Sequence, residues 1–152
     1  MRFFVANVPE DYSTFSGKPP RILGYSSWST RHQENIAALA ERIKSLEPVP
    51  GRNAELVVTA IRDDASLAGL MVVSFRHGLN PHVVLEDIVV EKGHRSEGVG
   101  NALFKWVDEQ ARSLGLLSWY LETGNTNARA HKFFERLGFK PRAVIMELYR
   151  AI

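Results

Sequence analysis

Arg95-Ser96-Glu97-Gly98-Val99-Gly100-Asn101 stands between a dense apolar run and a stretch whose apolar residues recur at helical spacing. The run before it, residues 82–90, is rich in valine, leucine and isoleucine and reads as a strand. After it, Val99, Leu103, Trp106, Val107 and Leu114 mark a helix over residues 98–114, which Gly115 closes. Residues 116–122 read as another strand. Strand, helix and strand in this order form a right-handed crossover, so the two strands are expected to be parallel neighbours. Glycines at 98 and 100 let the backbone turn sharply and approach a ligand closely. The helix they open presents unpaired N–H groups and the positive end of its dipole. That combination suits a pyrophosphate, and Arg95 adds a charged fork.

Two other phosphate loops compare poorly. A P-loop needs Gly-Lys-Ser/Thr, which is absent. The dinucleotide pattern needs a third glycine where this chain has Leu103. Its acidic residue about 20 positions on has a counterpart in Glu122, which therefore does not discriminate. A glycine-rich helix start without a ligand is the remaining alternative.

Outward from this segment the chain reads as a mixed α/β domain. Residues 1–8 alternate loosely and suit a first strand. Pro9, Gly17, Pro19, Pro20 and Gly24 make residues 9–27 a long loop, of the kind that is often functional. Thr30 and Gln33 have capping-box spacing ahead of Ile36, Leu39, Ala40, Ile43 and Leu46, a helix stopped by Pro48, Pro50 and Gly51. Residues 55–62 and 67–76 form a hairpin about a turn at Asp63-Asp64. Residues 127–137 form a short helix with Ala130, Phe133, Phe134 and Leu137 inward and Gly138 as its cap. Residues 143–149 make the last strand. Phe104, Trp106, Trp119 and Phe139 are expected in the core.

Composition limits the rest. A chain of 152 residues is one domain by default, here residues 1–152. With 45% apolar and 24% charged residues, it is not a mostly disordered chain. Cysteine is absent, which excludes disulfides, thiolate metal sites and cysteine nucleophiles. Nineteen basic residues less seventeen acidic ones leave +2, too little to argue for nucleic acid. None of the five histidines pairs at i, i+4, so no metal site is expected. The apolar runs are strand-sized, and Met1-Arg2-Phe3-Phe4-Val5-Ala6 lacks the core of a signal peptide. A cytoplasmic protein with no membrane partner is the expectation.

Arg-x-x-Gly-x-Gly after a strand resembles the acetyl-CoA loop of the GNAT N-acetyltransferase superfamily. The resemblance continues in order through Leu121-Glu122-Thr123, Asn127-Ala128-Arg129-Ala130 and Phe133-Phe134-Glu135-Arg136-Leu137-Gly138-Phe139. The last two stretches are similar to the family's Asn-x-x-Ala…Phe-Tyr-x-x-x-Gly-Phe. It spans residues 82–149 and implies a GNAT-like acyl-CoA N-acyltransferase fold, a mixed sheet whose central parallel strand pair splays apart around acetyl-CoA. Carried over by position, it implies that the backbone of Ile88, Val89 and Val90 pairs with the pantetheine arm. Arg95, Ser96, Glu97, Gly98, Val99 and Gly100 would wrap the pyrophosphate, with Asn101 beside them. Asn127 would bond the cofactor from the next helix, and Phe134 would sit near the thioester. Many relatives pair through their C-terminal strands, which makes a homodimer compatible with the resemblance.

Glu86 and Asp87 interrupt Val83-Val84-Leu85 and Ile88-Val89-Val90. Strand alternation would send one carboxylate into each covering layer. Burying either unpaired is costly, so a bulge or an opening at a cleft is expected to expose the pair. Acetyl transfer to an amine needs the ammonium deprotonated, and a carboxylate accepts that proton directly or through water. Glu86 is the expected base and Asp87 the group that orients or attracts the amine. A structural pair bonded to backbone N–H groups or to an arginine is the alternative.

The surrounding Leu-Glu-Asp-Ile-Val-Val run resembles the polyamine and glucosamine-phosphate branches of the family. Thr123-Gly124 and Met146 lean to the second. Some sugar-phosphate relatives carry an arginine where this chain has Tyr149, so the acceptor stays open. Where the family usually has a tyrosine to protonate the leaving thiolate, this chain has Phe134. Water could finish that protonation, and Tyr120, Tyr149, Tyr25 or His131 are candidate substitutes. The leading reading is direct acetyl transfer to a primary amine. The alternatives are a catalytically weak acyl-CoA-binding module and a nucleic-acid-binding domain.

Overall fold

The computed structural model describes residues 2–7 and 48–144. It opens with a short helix, α1 (Arg2–Asn7), where alternation suggested a strand. An apolar run this short fits either element by pattern alone. The helix ends on its own Asn7, whose side-chain amide donates to the Phe3 carbonyl at 2.8 Å. The loop at 9–27 and the helix over 29–46 lie outside the described residues.

Four strands form one sheet in the order β1 (Ala54–Ile61), β2 (Leu67–Arg76), β3 (His82–Val90) and β4 (Trp119–Leu121). The first two neighbours are antiparallel and β3–β4 is parallel, as the crossover requires. In β2 every residue from Ala68 to Phe75 is buried, which marks a strand covered on both faces.

On one face Met71, Val73, Phe75, Val83 and Leu85 meet Leu103, Val107 and Ala111 of α2 (Val99–Ser113), together with Leu116 and Phe134. Each of these side chains larger than alanine contributes roughly 1.5–3 kcal/mol by leaving water. Gly69 sets how closely α2 approaches. A Cβ there would stand 2.9 Å from Val99 Cγ1 and 3.1 Å from the Val89 carbonyl oxygen. The inward stripe of α2 includes Leu103, Val107 and Ala111. Trp106 lies off it and is 48% exposed, contrary to the core position expected.

The connection out of α2 turns at Gly115 (φ +77°). Leu116 is buried, but Leu117 and Ser118 face outward, so β4 begins only at Trp119 and is shorter than expected. The last helix, α3 (Ala128–Arg136), ends at Gly138 with φ +93°. Ala143 and Val144 carry no strand, and 145–149, the rest of the expected final strand, lies outside the described residues. No helix among the described residues is long and apolar enough to cross a membrane.

Candidate active site

The site begins with an extra residue in β3. Val73 pairs with Leu85, but Val72 pairs with Asp87, so Glu86 is a bulge with no partner of its own. Paired residues share a face, and Val72 lies on the face opposite Val73. Asp87 therefore joins that face. Glu86 is on it too, because its Oε1 accepts a hydrogen bond at 2.8 Å from Ser74 Oγ. Both carboxylates thus lie on one face, which corrects the expectation of one in each layer. Simple alternation ignores the half-turn that a bulge adds. The same half-turn sends Ile88 and Val90 toward the helix face, where Val90 Cγ2 lies 3.7 Å from the place of a Gly100 Cβ. Glu86 is exposed, and Asp87 is buried at 5%.

Parallel pairing between β3 and β4 covers Val83↔Trp119, Val84↔Tyr120 and Leu85↔Leu121 and then stops. The pairing ends at Leu85, the residue before the bulge, where β4 itself ends. On the β4 side, the edge from Glu86 to Val90 meets no strand among the described residues. Ile88, Val89 and Val90 lie along this edge.

Beyond Val90, a 3-10 turn at Lys92–His94 leads into the glycine loop. Ser96 (φ +77°) and Gly98 (φ +88°) are both left-handed, uncommon for a serine and strained by roughly 1–3 kcal/mol. Gly98 is the N-cap of α2, and it, Val99, Gly100 and Asn101 open the helix with N–H groups that have no intrahelical carbonyl to meet. No acidic residue occupies that first turn. Ser96, Glu97, Gly98 and Asn101 are exposed. Gly100 is not: a Cβ there would stand 3.2 Å from the Phe133 ring, so its missing side chain makes room for an aromatic of α3. Glu97 Oε1 lies 2.9 Å from His94 Nδ1.

Arg95 is used differently from the expected fork. Its guanidinium donates to the main-chain carbonyls of Asn7 and Val90. Burial pulls its pKa below the usual arginine value, and the charge of Arg129 on α3 acts in the same direction. Asn127 is the N-cap of α3 and accepts from the Ala130 N–H at 3.1 Å. No described residue accepts from its amide NH2. Phe134 is buried at 7%, with its ring 5.2 Å from that of Phe133 and 5.7 Å from that of Phe139.

Comparison with known proteins identifies the family. A family model described as the acetyltransferase (GNAT) family matches residues 20–139. The chain belongs to the GNAT acetyltransferase family. Its mixed sheet with one parallel pair is the fold of GNAT structures. A protein from Pyrococcus furiosus described as an acetyl transferase superposes with a TM-score of 0.65 at 25% identity, over 88% of this chain and 83% of that one. The aminoglycoside acetyltransferase AAC(6')-Iy, in complex with the bisubstrate analog CoA-S-monomethyl-acetylneamine, gives 0.64 at 25% identity, over 78% and 80%. Streptothricin acetyltransferase of Streptomyces lavendulae is 38% identical over 80 residues, 53% of this chain. The chain spans 42% of the length of that curated relative.

Sequence reasoning found the GNAT loop and the acidic pair but missed three supports. Ser74 was legible as the one polar residue in the apolar run 68–75. Asn7 carried no comparable signal, because its partners Lys92 and Arg95 are distant in sequence. Phe133 was read as inward, but nothing local indicated Gly100 as its neighbour.

Proposed function

We propose that the protein is an acetyl-CoA-dependent N-acetyltransferase that moves an acetyl group to a primary amine by direct attack in a ternary complex. The observation that carries this reading is the coincidence of three features at one opening. They are the β3 edge from Glu86 to Val90, beyond the end of its pairing with β4, the N–H-rich start of α2 that follows it, and an exposed carboxylate on the bulge at the other end of that edge.

In this reading the pyrophosphate lies on the N–H groups of residues 96–101 and the pantetheine arm extends the sheet along Ile88, Val89 and Val90. The amide of Asn127 donates to the cofactor. Phe134 supplies apolar packing behind the thioester, and Arg95 braces the loop from behind. The amine nitrogen attacks the thioester carbon, and an N–H of the Val90 region bonds the developing oxyanion. Glu86 takes the amine proton, directly or through water. Collapse breaks the C–S bond, and solvent protonates the departing thiolate, because Phe134 has no proton to give. A thiol pKa near ~8.5 makes this a fair leaving group.

Two carboxylates on one face favour a cationic acceptor, with Asp87 attracting the amine. Relatives named for streptothricin and for an aminoglycoside support a small-molecule amine acceptor. A thiol-release screen over amine classes with acetyl-CoA tests the reading. Release that depends on a cationic amine is expected, and none with any amine would overturn it. A second reading, a non-catalytic acyl-CoA-binding module, draws on the burial of Phe134 at the position of the usual acid. It predicts CoA binding without amine-dependent release.

A further inference from the structure

Ser74 is a hydroxyl inside an otherwise apolar strand. It is 2% exposed, and every neighbour from Ala68 to Phe75 is a buried apolar residue or glycine. A hydroxyl in such a place is unfavourable unless it is bonded, and its partner here is unusual. Ser74 lies opposite Val84, one register step before the bulge, and its Oγ donates to Glu86 Oε1 at 2.8 Å. A bulged residue has no cross-strand partner of its own to fix its side chain. The one side-chain bond that Glu86 makes among the described residues comes from this serine.

We infer that Ser74 is a positioning residue for the proposed base. The inference rests on the N-acetyltransferase reading and extends it to a group that touches neither cofactor nor acceptor. The serine proton occupies Oε1 and so orients the carboxylate, leaving Oε2 toward the opening as the acceptor of the amine proton. A glutamate has rotamer freedom that a single anchored oxygen largely removes before the amine arrives.

The test uses three substitutions in two backgrounds. Ser74→Ala removes the hydroxyl without adding volume. Ser74→Thr keeps the hydroxyl and adds a methyl, and Ser74→Val has the shape of threonine without the hydroxyl. Each is made in the native chain and in Glu86→Gln, and amine-dependent thiol release and CoA affinity are measured. The expected result is a loss of about tenfold or more in kcat/KM for the amine with Ala and Val. CoA affinity stays unchanged, Thr retains most of the activity, and Glu86→Gln abolishes the difference between Ser and Ala. Equal losses for Ala in both backgrounds, or equal activity of Thr and Val, would assign Ser74 to packing and overturn the inference. If Thr and Val fail to fold, the Ser-to-Ala comparison across the two backgrounds decides alone. A native chain that releases no thiol with any amine overturns the acetyltransferase reading, and this role with it. A native chain that turns over while Ser74→Ala has no effect overturns this role alone.

Discussion

Asn7 Oδ1 accepts a hydrogen bond at 2.8 Å from the main-chain N–H of Lys92, 85 residues further along the chain. The Asn7 carbonyl takes a second bond from Arg95, so one buried residue at the end of α1 holds both ends of the segment that leads into the glycine loop. The N-terminal helix is thereby part of the proposed cofactor site without facing it. Asn7→Ala leaves the Lys92 N–H without its partner and is expected to cost about 1–3 kcal/mol in urea unfolding. CoA affinity should weaken with it. Unchanged affinity would show that the loop keeps its shape without α1.

Gly69 and Gly93 make a matched pair for stability. A methyl at Gly69 meets the side chain of Val99 and the Val89 carbonyl, whereas one at Gly93 meets nothing within 4 Å. Gly69→Ala should lower stability by about 1–3 kcal/mol by forcing α2 off the sheet. Gly93→Ala should leave the unfolding midpoint nearly where it is. Equal midpoints for the two variants would contradict the close approach described above.

Glu86→Gln keeps the size of the side chain and its bond from Ser74 while removing the base. The expected outcome is a fall of about 10²–10⁴ in kcat/KM for the amine with CoA affinity preserved. Calorimetric titration with CoA alongside the rate assay separates the two quantities. A variant as active as the native chain would remove Glu86 from the mechanism.

Asn127 has two separable functions. Its oxygen caps α3, and its NH2 faces no described acceptor. Asn127→Ala should cost ~1 kcal/mol of stability through the lost cap, and Asn127→Ser should restore most of it. Both should lose CoA affinity if the NH2 serves the cofactor. Restoration of affinity by serine would assign the residue to capping alone.

Phe134 is a test of packing against chemistry. Its burial among Phe133 and Phe139 predicts a loss of about 3–5 kcal/mol for Phe134→Ala. Phe134→Leu should cost less than Phe134→Ala, because it leaves a smaller cavity. Thermal unfolding of the two variants distinguishes a core aromatic from a side chain at a wet cleft.

The parts legible in the sequence were those with a local period or a local turn. The hairpin of β1 and β2, the crossover through α2 and the glycine caps at 115 and 138 each announce themselves within about a dozen residues. α1 did not, since six residues of apolar character fit a strand as well as a helix. The bulge at Glu86 was anticipated only as a way to relieve buried charge. Which residue it would displace depends on pairing with β2, and register is a property of two strands together. Arg95 illustrates the same limit. Its motif position suggests a phosphate, but one of the two carbonyls that engage its side chain belongs to Asn7, 88 residues away in sequence.

The extra residue at position 86 has a consequence for how this chemistry can be gained or lost. Deleting Glu86 would leave Leu85 and Asp87 consecutive opposite Val73 and Val72, so Asp87 through Val90 would keep their partners and their faces. A single-codon deletion there would therefore erase the proposed proton acceptor while sparing the hydrophobic seam that Ile88 and Val90 make with the helix face.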